Sequence, residues 1–234
     1  MLETPDRALV IIPHPDDGEG GCGGTVAKWV KHGTEVNFVL CTDGRRGSSD
    51  PEMTPERLAF IRDGEQLEAA AVLGVKEVVM LRHPDGELED TREFRKELVR
   101  AIRRFRPDVV LCNDPSRRLN HSHRDHRMTG QVALDAVFPY ARDRLHFYEL
   151  LQYEGLEPHK TGTALLWTSE DADTAVDIKE TIDLKIRALL CHKSQFITRT
   201  DQQVEAFVRE RARKNGESFG MEYAEAFRKL EFRR

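Results

Sequence analysis

The stretch Ala8-Leu9-Val10-Ile11-Ile12-Pro13-His14-Pro15-Asp16-Asp17, with five glycines between Gly18 and Gly24, constrains this chain more than any other. An unbroken apolar run rich in β-branched residues suits a strand buried on both faces of a parallel sheet. Pro13 and Pro15 then end the ladder, because proline has no N–H to donate. One imidazole, two carboxylates and a glycine-rich turn lead into a helical pattern from Thr25 to His32. In open α/β sheets ligands bind just beyond the carboxyl ends of strands, which is where these polar groups stand.

Competing chemistries fit the stretch. Gly18-Glu19-Gly20-Gly21-Cys22-Gly23 formally satisfies the dinucleotide pattern G-x-G-x-x-G, with Asp43 at the end of the next strand as a ribose acceptor. The spacing argues against that reading: five residues separate Ile12 from Gly18, and two of them are carboxylates that would repel a pyrophosphate. In the second reading His14 and Asp17 are metal ligands and Asp16, between them, is free to act as a base. In the third, the same polar side chains only hydrogen-bond a tight turn.

At 234 residues the chain fits one domain, 1–234, with a substantial core. A formal net charge of -5 gives no electrostatic reason to bind nucleic acid or an anionic membrane. Cys22, Cys41, Cys112 and Cys191 form no C-x-x-C pair, so neither a zinc knuckle nor a disulfide framework is expected. No basic segment precedes a long apolar stretch, so a cytoplasmic protein is expected, and assembly into a homo-oligomer is left open.

Strand and helix patterns alternate, which calls for βαβ units and a mostly parallel, Rossmann-like sheet flanked by helices. Strands are expected at Val36–Cys41, Glu77–Leu81 and Val109–Cys112, and helices at 54–73, 91–106 and 125–137. Strand order 3-2-1-4-5 would place the loops after Ile12 and Cys112 in one crevice. Beyond Tyr140 the reading continues with strands at Leu145–Tyr153, Ala164–Thr168 and Val176–Ile178. Helices follow at Thr181–His192 and Asp201–Lys214, and a last helical spacing runs over Gly220–Leu230. Arg62 and Glu65 on the second helix read most simply as a solvated ion pair.

The loop after the fourth strand places His121, His123 and His126 within six positions. A catalytic metal site wants three protein ligands and an open position, and His126 can be the third beside His14 and Asp17. His123 and His126, three apart at a helix start, can both face the crevice. Asp125 can hold an imidazole ring in orientation.

Taken together, His14-Pro15-Asp16-Asp17, Gly21-Cys22-Gly23-Gly24-Thr25 and His123-Arg124-Asp125-His126 resemble the LmbE-like (PIG-L) family of zinc-dependent de-N-acetylases. The similarity extends through Thr42-Asp43-Gly44, Arg62 with Glu65, Pro84-Asp85-Gly86 and His192-Lys193-Ser194-Gln195. The resemblance implies a Rossmann-like fold, one zinc per chain with other divalent ions open, and hydrolysis of an N-acetyl group on an N-acetylglucosamine-type sugar or conjugate. It implies His14, Asp17 and His126 as metal ligands, Asp16 as base, His123 as the oxyanion-binding histidine in cationic form, and Asp125 as the group that orients the His123 ring. Arg62, Asp85 and His121 are the expected substrate contacts, and a small amino sugar is the expected partner. Two departures stand out: Gly18 occupies the place of the family's usual glutamate, and His121 a place where some members carry tyrosine. A dinucleotide-binding protein and a non-catalytic metal-binding module are the alternatives.

Overall fold

The computed structural model describes residues 3–116 and 122–232. Its chain order opens with strand β1 (Arg7–Ile12), helix α1 (Asp17–Lys31), β2 (Glu35–Thr42), α2 (Pro55–Leu73), β3 (Glu77–His83), α3 (Arg92–Phe105) and β4 (Val109–Asn113). Then come α4 (Arg124–Asp135), α5 (Tyr148–Glu154), β5 (Thr163–Trp167), β6 (Thr174–Asp177), α6 (Ile182–Leu189), α7 (Asp201–Glu217) and β7 (Ala224–Glu231). The strands form one sheet in the order β3-β2-β1-β4-β5-β7-β6. The expected 3-2-1-4-5 order is met, its neighbours run parallel, and β7 and β6 add an antiparallel edge.

The core strands are as apolar as their position demands. Leu9, Val10, Ile11 and Ile12 are fully enclosed, as are Val110, Leu111 and Cys112 of β4. Winding reverses between β1 and β4, so right-handed crossovers put α1 and α2 on one face and α3 and α4 on the other. Helix α6 joins the first group, packing on α1 and α2. The reversal leaves the ends of β1 and β4 open side by side, and that gap holds the site. The helix starts follow their sequence signals: Thr54 accepts from Arg57 N–H with Pro55 at the first position, and Thr91 accepts from Phe94 N–H. No described helix is long and apolar enough to cross a membrane.

Three expectations are corrected. The glycine-rich segment is not a turn: α1 begins at Asp17 and runs through it, broken only at Cys22, whose φ and ψ are -144° and 15°. Its glycines serve close packing, since a Cβ on Gly21 would sit 2.7 Å from the Trp167 ring. This also disposes of the dinucleotide fingerprint, whose glycines must form a phosphate-cradling turn before the helix. Second, Leu145–Tyr153 is not a strand. Phe147 and Leu150, three apart, are its buried pair, and Gly155 ends α5 with φ 68°. Third, 224–231 is a strand rather than a helix. Tyr223, Ala226, Phe227 and Leu230 stand at helical spacing, but the alternation of β7 is masked because a carboxylate, Glu225, points inward.

That inward carboxylate answers the break in α1. An interrupted helix exposes new N–H groups and carbonyls that need partners. Glu225 accepts from Gly24 N–H at 2.9 Å and Thr25 N–H at 2.7 Å, while Lys185 Nζ donates to Gly20 O at 2.9 Å. The two side chains also meet each other at 2.5 Å, both buried.

Candidate active site

The loop after β1 delivers its side chains under strain. Asp16 stands at the N-cap of α1 with φ 94°, a left-handed conformation that is costly for a residue with a Cβ. It makes no side-chain capping bond, so its carboxylate is not spent on the helix it precedes. One residue later Asp17 turns back, accepting from His14 N–H at 3.0 Å. From the other side of the gap α4 starts at Arg124 and projects His126 into the same space.

His14 Nδ1, Asp17 Oδ2 and His126 Nε2 then converge, with each pair 3.2 Å apart. Such spacing is roughly the edge of a tetrahedron whose vertices lie ~2.0–2.1 Å from a central ion. Two imidazole nitrogens at that distance repel unless a proton or a metal ion stands between their lone pairs.

The ring partners support a divalent ion in this position. His14 Nε2 faces Asp125 Oδ2 at 3.0 Å and Asp85 Oδ1 at 3.1 Å, so its proton belongs on Nε2 and the Nδ1 lone pair is free. Asn113 Nδ2 lies 3.2 Å from His126 Nδ1, while Asn113 Oδ1 is buried without a partner. Turning that amide over gives Oδ1 the Nδ1–H and leaves His126 Nε2 as a ligand atom. Burial by itself would lower the His14 imidazole, but the carboxylates of Asp125, Asp17 and Asp85 push it up to about 12. The carboxylate charge that favours a second proton on this ring would equally favour a metal cation in that proton's place. His14, Asp85 and His123 also stand close enough to suggest a second cluster. With Nε2 protonated toward two carboxylates, His14 has no lone pair to offer there.

Burial and the adjacent Asp17 raise Asp16 to about 8. Asp17 is moved the other way, the neighbouring His126 and His14 overcoming its burial and holding it below the ordinary carboxylate range. His123 is exposed at the rim, its ring centroid 4.7 Å from that of His14. Its Nδ1 accepts from Asp125 N–H at 3.2 Å, which only a neutral ring can do, and burial together with His14 lowers its pKa. The expected cationic His123 is therefore corrected to a neutral ring that carries its proton on Nε2. The hold of Asp125 on the His123 ring comes from its backbone N–H and not from its carboxylate, which meets His14 and the N–H groups of Gly86 and Leu88.

The expected substrate contacts divide. Arg62 is buried and its donors are taken by Gly44 O, Gly47 O, Gln195 Oε1 and Ser194 Oγ. It is a staple between loops rather than a free guanidinium. Gln195 Nε2 in turn donates to Pro15 O at 3.0 Å, so the staple reaches the peptide just before Asp16. Glu65 is no solvated partner of Arg62 but accepts from Ser194 N–H and Oγ. Asp85 is buried against His14 and Arg46 N–H. His121 lies outside the described residues. Gly18 sits where a Cβ would come 3.0 Å from Ile12, and the nearby glutamate, Glu19, is wholly buried between Gln66 at 2.8 Å and His192 at 3.3 Å. No role was anticipated for Asn113, Lys185 or Glu225, and Gln195 entered only as part of the His192-Lys193-Ser194-Gln195 similarity; Asn113, at the end of a strand that opens onto the crevice, carried a positional signal.

Fold and site together define a Rossmann-like α/β protein with two histidines and an aspartate close enough together to hold a metal ion at the carboxyl edge of its sheet, beside an aspartate with left-handed backbone that makes no capping bond. Residues 9–137 match the family model described as PIG-L, GlcNAc-PI de-N-acetylase. The chain belongs to the PIG-L family. It is 36% identical over 222 residues to the diacetylchitobiose deacetylase of Thermococcus kodakarensis, covering 95% of this chain and 82% of that one. It is 27% identical over 242 residues to a 1D-myo-inositol 2-acetamido-2-deoxy-alpha-D-glucopyranoside deacetylase of a Mycobacterium species, covering 83% and 76%. Among solved structures, the N,N'-diacetylchitobiose deacetylase of Pyrococcus horikoshii in complex with its inhibitor superposes with a TM-score of 0.90 at 36% identity, over 97% of this chain and 84% of that one.

Proposed function

We propose that this chain is a metal-dependent hydrolase that removes the N-acetyl group from an N-acetylglucosamine-type sugar or small conjugate. The observation that carries the reading is the 3.2 Å convergence of His14 Nδ1, Asp17 Oδ2 and His126 Nε2 beside the uncommitted Asp16. These three residues would hold the ion, and two imidazoles with one carboxylate suit zinc. When bound, such an ion supplies Lewis-acid polarisation and lowers the pKa of water toward ~7.

The chain's own groups carry the remaining work. Asp16, raised by its surroundings, accepts a proton from the attacking water. His123, neutral with its proton on Nε2, donates a hydrogen bond to the carbonyl oxygen as negative charge gathers there, a kind of contact worth ~10²–10³ in rate. Asp16 then returns its proton to the departing nitrogen as the C–N bond breaks, giving acetate and a free amine. Asp85 and Asp125 keep the His14 ring in one tautomer, and the Arg62 to Gln195 staple fixes the Pro15 peptide ahead of the base.

The test is acetate release from N-acetylglucosamine, diacetylchitobiose and N-acetylglucosaminyl conjugates, measured with metal content. Release from at least one, lost together with metal on chelation and restored by zinc, is expected. Activity that survives complete removal of metal would refute the reading.

A further inference from the structure

The ends of β4 and β5 are joined by a buried carboxylate that no step of the proposed reaction uses. Asp114, one residue beyond β4, is 3% exposed, and both of its oxygens are occupied. Oδ2 accepts from the Ser169 hydroxyl at 2.5 Å, Oδ1 accepts from Ser116 N–H at 2.8 Å, and the Asp114 N–H donates to Trp167 O at 3.0 Å. Arg228 Nη1 stands 3.9 Å from Oδ2, too far for a hydrogen bond. Between Trp167 and Ser169 the chain turns at Thr168, whose φ of 59° is a conformation that a β-branched residue adopts only when its surroundings impose it. A buried carboxylate without a close cation is costly, and a strained residue beside its partner adds to the cost. A connection that had only to close the sheet edge needs neither.

We propose that Asp114 and Ser169 form a positioning pair for His126, acting through Asn113. The inference rests on the metal reading of His14, Asp17 and His126 and extends it to two residues outside that cluster. Asn113 is the last residue of β4, and its amide meets His126 Nδ1 at 3.2 Å. It also pairs with Trp167 in the ladder between β4 and β5. The bonds from Asp114 to Trp167 O and Ser169 therefore fix the backbone immediately after Asn113, which sets the direction of its amide. Helix α4 leans on the same backbone: a Cβ on Gly130 would lie 2.4 Å from Asn113 O and 3.1 Å from Pro115. The bare Cα of Gly130 lets the helix come close enough for His126, one turn earlier, to meet Asn113. A carboxylate suits the position because it only accepts, and the two groups aimed at it, a hydroxyl and an N–H, both donate. Residues that support a ligating histidine in this way raise its metal affinity although they never touch the ion.

The test is zinc affinity, by competition with a chelator of known affinity, for the wild type, Asp114→Ala, Ser169→Ala, Ser169→Thr, Asn113→Ala and the double variant of Asp114→Ala with Asn113→Ala. Denaturant unfolding of the same proteins tells lost stability from lost positioning. Asp114→Ala should raise the zinc dissociation constant about tenfold and Ser169→Ala by a smaller factor, while Ser169→Thr, which keeps the hydroxyl, should stay within about twofold of the wild type. In the Asn113→Ala background the Asp114 change should add less than about twofold, because the residue through which it acts is gone. A full effect of Asp114→Ala in that background would overturn the proposal. So would unchanged affinity in Asp114→Ala and Ser169→Ala with only stability lowered. Ser169 is only half-buried, so if Asp114→Ala fails to fold, Ser169→Ala alone and combined with Asn113→Ala decides by the same comparison. If the wild type binds no zinc, the metal reading fails, and the ring nitrogen NMR signals of the metal-free protein decide the positioning. A His126 ring held in one tautomer in the wild type and averaged in Ser169→Ala would support it, and the same pattern in both would overturn it.

Discussion

His14 Nε2 lies 3.0 Å from Asp125 Oδ2, and the same oxygen accepts from Gly86 N–H at 2.6 Å. One carboxylate therefore fixes both the tautomer of a proposed metal ligand and the loop after β3. The backbone of Asp125 adds a further tie by donating to His123 Nδ1 at 3.2 Å. Two histidines with different proposed tasks are aligned by one residue at the start of α4.

If Asp125 acts through His14, Asp125→Asn keeps an acceptor and the backbone bond to His123 but loses the charge that holds the Nε2 proton. Metal affinity should fall by ~10–100-fold, the usual cost of losing a partner behind a ligating histidine. Competition against a chelator of known affinity measures it. An unchanged affinity would show that Asp85 alone orients the ring.

The break in α1 yields a stability prediction. Lys185 and Glu225 are buried and paired, and each also satisfies backbone groups exposed at Cys22. Glu225→Ala strands a buried ammonium and two N–H groups, so a loss of about 3–5 kcal/mol is expected. Lys185→Met combined with Glu225→Ala should cost less than the two single changes added together, because no lone charge remains. Denaturant unfolding of all four proteins tests this, and strict additivity would mean that the pair is not coupled.

The buried pair of His192 and Glu19 makes stability depend on pH. Burial alone would pull the His192 imidazole down, but Glu19 outweighs it and holds the group above its ordinary value of 6.5. A raised folded pKa contributes stability that is fully present below the unfolded value and is lost as pH rises through the folded one. Glu19→Gln removes the cause, so the gap between wild type and variant should be widest in acid and close toward alkaline pH. Denaturant midpoints between about pH 5 and about pH 9 give the profile. A gap that widens with pH would reverse the assignment.

How far the sequence predicts this architecture depends on whether each signal is local. The run from Ala8 to Ile12, the caps at Thr54 and Thr91 and the polar loops at strand ends act over a few residues, and the strand order follows from them by the crossover rule. Glu225 could not be read as a strand residue, because its inward direction depends on a helix break at Cys22, far earlier in the chain, beyond which it accepts from Gly24 N–H. The glycines of α1 looked like a turn because their cause is the Trp167 ring on β5. Arg62 looked like a surface ion pair because Gly44, Gly47 and Gln195 come to it only in the fold. In the site, residue types and spacing singled out His14, Asp17 and His126, whereas the ring that Asp125 faces depended on how α4 meets β1.

The sharpest division of labour in the proposed mechanism falls between two adjacent carboxylates. Asp17 Oδ2 faces both His14 Nδ1 and His126 Nε2 at 3.2 Å, whereas Asp16, with its left-handed backbone, stands outside that trio and makes no side-chain capping bond. Asp16→Asn should therefore keep its metal and lose deacetylation by ~10² or more, since only proton transfer is removed. Asp17→Asn should bind metal more weakly, and excess zinc should restore part of its rate. His123→Ala should behave like the first variant, retaining metal while losing a donor to the developing oxyanion, for ~10²–10³ in kcat. Metal content and acetate release, measured together for the three variants, separate a lost ligand from a lost proton acceptor. Asp16→Asn without metal beside a loaded but inactive Asp17→Asn would exchange the two roles, and Asp16→Asn at the full rate would end the mechanism.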